Sequence, residues 1–347
     1  MKIFQNYIAH IPLKVYETLL GEGIITGLKF PGTGASPEVN QAFIDLARGL
    51  NCEIDNHGWN GITAQLHDVH FCDHITDFSG LENYLNLPNA WRYSSHIGAK
   101  PQNLPARKIS QQEFDEILLT NLAKIRETIF SLTGKQPIIY GEGLFPYYFD
   151  PRTTSPAFIN RTLKSRGLKD GLDGLVLDIC HSTIAAKFIE RMRVTSPYSF
   201  HDYLYDLDTS EVKIIHLSGL PCTDFSTTDF SDDNALDPHL SSNLQDFLTL
   251  KDVLRRCPNA EQISNEIAYS GNWGNPVTTF DYCSEAILTW YAIESCYYSI
   301  ESLRDISDLI SDELRKDCAN LYEVIRDCKM CFWLTSSKQF WPGGFCR

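Results

Sequence analysis

The sequence predicts an α/β fold, a TIM (β/α)8-type barrel with a helical C-terminal extension, and three observations carry that expectation. Short β-rich runs alternate with segments of helical period, the pattern of parallel strands joined by crossover helices. Seven stretches carry a His, Asp or Glu at, or just beyond, a probable strand end. In a parallel barrel the C-terminal ends of the strands are where functional side chains gather. An apolar fraction of 43% over 347 residues supplies the core such a fold needs.

In chain order, strands are expected at 24–30 (IITGLKF), 52–57, 91–97, 137–142, 174–180, 212–218 and 262–267. PEVNQAFIDLARGL fits a helix after the first of these. QQEFDEILLTNLAKIRETIFSLTG is a long amphipathic helix closing at Gly134, and AFINRTLKSRG a shorter one closing at Gly167. Ser182 to Met192 continues the alternation. These strands number seven, so the eighth is expected at one end of the chain or the other. From about Thr279 the rhythm changes to long helical stretches. Residues 1–278 therefore read as a metal-binding barrel and 279–347 as a helical extension packed on it. Trp290, Tyr291, Tyr297 and Tyr298 in that extension read as helix-packing core. The loop from Thr223 to Asp237 holds five Asp residues and is expected over the barrel mouth.

A formal net charge of −14 argues against a nucleic-acid partner. The N-terminal stretch lacks a basic segment followed by an apolar run, and no later stretch is long and apolar enough to span a bilayer. A cytoplasmic protein with no membrane partner is expected. Eleven scattered cysteines, an odd count, fit reduced thiols. The CxxC at Cys328 and Cys331 has no second pair at zinc-ribbon spacing and reads as incidental.

The chemistry-bearing residues lie in CEIDNHG (His57), WRYSSHIG (His96), IIYGEG (Glu142), GLVLDICH (Asp178, His181), VKIIHLSG (His216), LDPH (Asp237, His239) and ISNEIA (Glu266). A single His at a strand end is usually a hydrogen-bonded structural residue. Several carboxylates buried together without cations are another matter, because each would have to protonate or cost several kcal/mol. His with Asp and Glu selects Fe, Mn or Zn over a thiolate site, and nine donors suit two or three ions. His70 and His74 stand four apart, but without the glutamate of HExxH they read as surface or supporting residues. Tyr93, Lys100 and Tyr140 lie near the motifs without a signal for a general base.

The ordered set HG, SxH, a Glu after a strand, LDxxH, IHLSG followed by DPH, and a final Glu in a strand resembles the multinuclear non-heme iron-dependent oxidases, the family containing the methanobactin biosynthesis oxidase. The resemblance covers roughly residues 20–270. It implies a xylose-isomerase-like TIM barrel in which His57, His96, Glu142, Asp178, His181, His216, Asp237, His239 and Glu266 hold two or three irons, with O2 as co-substrate. It further implies a ribosomally synthesised precursor peptide as substrate, oxidised at a Cys or Asp side chain, and a partner protein that recruits it. The chain departs from the family pattern at GLKFPGTG, where acidic and amide residues are usual, at Gly143 in place of Asn, and at His181, where Asn is frequent.

The rival readings on the same scaffold are a sugar isomerase or epimerase and a phosphodiesterase of the endonuclease IV type. The acidic charge disfavours the second. Isomerases of this scaffold usually place a catalytic Lys near a metal-binding Glu, and no Lys neighbours Glu142 or Glu266 here. A non-catalytic barrel with an interaction role would have no need of nine donors.

Overall fold

The computed structural model describes residues 1–30, 35–57, 66, 85–98, 110–144, 154–164, 171–192, 197–220, 239–270 and 274–297. Its strands are β1 (Lys2–Asn6), β2 (Gly27–Lys29), β3 (Glu53–Asp55), β4 (Arg92–His96), β5 (Ile138–Glu142), β6 (Gly174–Asp178), β7 (Val212–Leu217) and β8 (Gln262–Asn265). Its helices are α1 (Leu13–Gly21), α2 (Pro37–Leu50), α3 (Gln111–Thr133), α4 (Pro156–Lys164), α5 (Ile179–Met192), α6 (Phe200–Asp206), α7 (Leu244–Arg256) and α8 (Thr279–Tyr297).

All eight strands form one parallel sheet in the order β3-β2-β1-β8-β7-β6-β5-β4. The sheet curls until its two edges touch. Past the end of β3, His57 forms a parallel bridge to Ser94 of β4, and the Ser94 N–H donates to the Asn56 carbonyl at 3.0 Å. The strand left unassigned by sequence is β1, which slots between β2 and β8, with Phe4 opposite both Gly27 and Ser264.

Helix signals in the sequence act locally. The Ser36 side chain accepts the Val39 N–H ahead of Pro37. Ser110 and Glu113 form a reciprocal capping box, and Gly134 ends α3 at φ 68, where a side chain would be strained. Along α3, Phe114, Leu118, Leu122, Ile125 and Ile129 form a buried stripe at helical spacing. Helix α8 packs against α7, α1 and β1. Trp290 and Tyr291 lie on it, Tyr291 fully buried. Residues 298–347, including Tyr298 and the CxxC, lie outside the described residues, as does the acidic stretch 223–237. Among the described residues no helix is long and apolar enough to cross a membrane.

Candidate metal centre

Strand alternation decides which side chains meet. In β5, Ile138, Tyr140 and Glu142 share one face and Ile139 and Gly141 the other. Ile139 belongs to the large core between sheet and helices. Tyr140, Val176 and Ile214, with Ile138 beside them, form a separate small cluster in the barrel interior. Two residues further along the same three strands stand Glu142, Asp178 and His216. Register keeps neighbours level: His96 lies opposite Glu142, and Asp178 opposite His216. The same phase puts His57 two residues beyond Asp55, and Glu266 two beyond Ser264, whose hydroxyl donates to Asp55 at 2.6 Å across the interior. The layer of donors at the C-terminal mouth thus rests on Tyr140, Val176 and Ile214 on one side and on the Ser264 and Asp55 hydrogen bond on the other.

Glu142 is the hub. Its Oε2 lies 3.2 Å from His216 Nδ1 and 3.5 Å from His57 Nδ1, and its Oε1 lies 3.0 Å from His181 Nδ1 and 3.7 Å from His96 Nε2. His216 Nδ1 is also 3.1 Å from Glu266 Oε1, and His239 Nδ1 is 3.7 Å from Glu266 Oε2. The His57 and His216 rings meet edge-on at 5.0 Å, and those of His57 and His96 at 5.2 Å. Two overlapping groups result, His57, His96 and Glu142 in one and Glu142, Asp178, His216 and Glu266 in the other, each with its donor atoms within 4.8 Å of one another. The second is wholly buried, whereas the His57 and His96 side chains are 16% and 26% exposed. The inner set is closed and the outer set faces the mouth.

Eight of the nine sequence candidates therefore converge; Asp237 lies outside the described residues, as do His70, His74 and Lys100. His181 sits in the first turn of α5, because Asp178 ends its strand and the helix begins at Ile179, three residues earlier than the sequence suggested. His239 adopts a left-handed φ of 48 and its carbonyl accepts the N–H groups of Ala268 and Tyr269 at 2.8 and 3.1 Å, which ties it to the end of β8. Tyr93 and Tyr140 are buried, and burial pushes both phenols up to about 12, which removes them as bases near neutral pH.

Electrostatics agree with a cation site. Burial opposes ionisation of Glu142, but His216, His57 and His96 around it, with His181 in hydrogen-bond reach, outweigh that and hold its carboxyl well below the ordinary range. His57 is held well below its ordinary value by burial first, with the Lys29 cation adding to the effect. Both oxygens of Glu142 and both ring nitrogens of His216 are buried without a well-aligned hydrogen bond. Polar atoms so placed cost about 1–3 kcal/mol each when nothing satisfies them. Mixed carboxylate and imidazole donors fit a divalent ion of the Mn, Fe or Zn type.

One functional residue escaped the sequence reading. Lys29, at the end of β2, places its ammonium against Glu266 Oε1. The expectation that no Lys neighbours Glu266 is therefore corrected: the two residues are far apart in the chain and adjacent in the barrel. The available signal was a lysine inside the apolar run IITGLKF, where a buried cation needs a partner.

No protein-family model matches the sequence, and no curated protein is similar to it. Among solved structures, the chain is similar to D-allulose 3-epimerase from Methylomonas sp. (TM-score 0.49, 11% identity, 85% of this chain and 98% of that one). It is also similar to D-psicose 3-epimerase from Clostridium cellulolyticum H10 (TM-score 0.44, 10% identity, 96% and 99%) and to a psychrophilic glycoside hydrolase family 10 endo-β-1,4-xylanase (TM-score 0.41, 12% identity, 83% and 96%). The barrel assignment stands on strand order and register without them.

Proposed function

We propose that the chain is a metal-dependent enzyme of the sugar isomerase or epimerase class, in which the inner set Glu142, Asp178, His216 and Glu266 holds a divalent ion. The observation that carries this reading is the convergence of four buried donors from four successive strand ends, with a glutamate on either side of His216 Nδ1. An ion bound there polarises a carbonyl or hydroxyl of the substrate. The chain's own part is proton handling in a dry site, with Glu142 kept ionised by the imidazoles around it and Lys29 balancing Glu266.

A second reading is the iron- and O2-dependent oxidation of a Cys or Asp side chain in a ribosomally made peptide, with a partner protein presenting it. One observation favours it: Glu142 belongs to both donor groups, and a carboxylate shared between two groups is the arrangement of a centre with more than one ion. A phosphodiesterase would draw on the same feature.

Metal analysis of anaerobically purified protein, followed by two assays, separates these readings. Deuterium incorporation from D2O into a panel of ketoses, read by proton NMR with Mn2+- or Co2+-loaded protein, supports the isomerase or epimerase class. Two or more irons per chain, with O2 uptake and no deuterium incorporation, overturns it in favour of the oxidase. A chain that retains no metal sinks both.

A further inference from the structure

Lys29 is nine-tenths or more buried, at 4% exposure, and so is its partner Glu266, also at 4%. A side chain so enclosed is no landing point for a substrate arriving from solvent. The Glu266 oxygen it touches is the one 3.1 Å from His216 Nδ1, so the ammonium and an ion in the inner set would draw on one carboxylate. The inner set has three carboxylates, Glu142, Asp178 and Glu266, a formal charge of −3; Lys29 brings it to −2, the charge one divalent ion balances. Buried ion pairs hold only while both partners are present, and a second cation at a shared carboxylate competes with the first.

We infer that Lys29 is a resident cation of the metal centre, one that competes for Glu266 and so limits how much metal charge the inner set accepts. This rests on the metal-centre reading above. Lys29 does so through Glu266, as a positioning residue whose charge weakens metal binding while holding the glutamate in place when metal is absent. The geometry makes removal of a positive charge beside the inner donors a gain in metal affinity, the reverse of what deletion of a ligand or of a supporting residue produces.

The test is titration of metal-free protein with Co2+, followed by its visible absorption and by equilibrium dialysis with elemental analysis. Lys29→Met, similar in length and uncharged, is expected to bind Co2+ about tenfold or more tightly than the wild type. Lys29→Gln, a second neutral variant, is expected to shift in the same direction should the methionine variant fold poorly. In a Glu266→Gln background, Lys29→Met is expected to change affinity by less than about twofold, because the shared carboxylate charge is gone. Equal or weaker binding by both neutral variants, with circular dichroism like that of the wild type, overturns the inference alone. A wild type that takes up no Co2+, Mn2+ or Zn2+ removes the metal centre and the inference with it.

Discussion

Asp178 caps the helix that carries His181: its Oδ1 accepts the His181 backbone N–H at 2.6 Å, three residues along. The spacing of this Asp and His pair thus has a mechanical origin, since an N-cap side chain reaches the third helical N–H. One carboxylate ends β6, starts α5 and joins the inner donor set. Asp178→Asn keeps a capping acceptor and removes the charge, so its thermal stability without metal should stay close to the wild type while metal affinity falls. Asp178→Ala should lose metal affinity and about 1 kcal/mol of stability besides. Parallel melts of the two metal-free variants check this, and equal stability of the pair would remove the capping role.

Glu142 is the one donor common to both groups. Glu142→Ala is therefore expected to empty the whole centre, whereas His57→Ala should deplete only the outer group and leave the inner ion in place. Elemental analysis after loading with Mn2+ and gel filtration distinguishes the two. Equal losses in both variants would mean the groups are not separable.

Gly219 follows the β7 motif and sits where a Cβ would run into the backbone carbonyl of Ser241, with Leu240 O 3.1 Å away. Its N–H donates to the Leu240 carbonyl at 2.7 Å, one residue beyond His239. Gly219→Ala should push this segment outward, lowering thermal stability by about 1–3 kcal/mol and loosening the approach of His239 to Glu266. Calorimetry with and without metal checks both effects, and a variant as stable as the parent contradicts the packing argument.

Glu285 of α8 is buried against Ser242, whose N–H and hydroxyl donate to its two oxygens at 2.8 and 2.5 Å. Burial nonetheless dominates and pushes the carboxyl up from 4.5 to about 8. The folded chain then holds this proton more tightly than the unfolded chain. Its contribution to stability is complete below about 4.5 and is lost as pH rises through about 8, on the order of a few kcal/mol. Glu285→Gln should flatten that part of the curve and gain on the wild type at pH 9. Urea unfolding at pH 6 and pH 9 measures the slope, and identical slopes in both proteins would refute it.

Much of this arrangement was legible because strand-end ligands are local signals. Strands such as GLVLD and VKIIHL are short apolar runs with the donor in the last positions, and two-residue alternation fixes which side chain faces inward. Strand β1 was missed because KIFQN offers only two apolar residues at the edge of the chain, too few for a period to emerge. Lys29 was missed for a different reason. Its meaning depends on Glu266, and nothing in the sequence links positions 29 and 266 until β1 slots between β2 and β8 and joins them in one sheet.

That placement of β1 bears on how the protein is made. Lys2 pairs with Gln262 and Gln5 with Asn265, so the earliest strand of the eight has its partner on one side only after nearly the whole barrel has left the ribosome. A nascent chain can stack β4 to β7 as it emerges, yet Glu266 is the last donor translated, and Lys29 waits some two hundred residues for it. A ribosome stalled short of β8 accordingly holds a chain with an open sheet and an incomplete donor set.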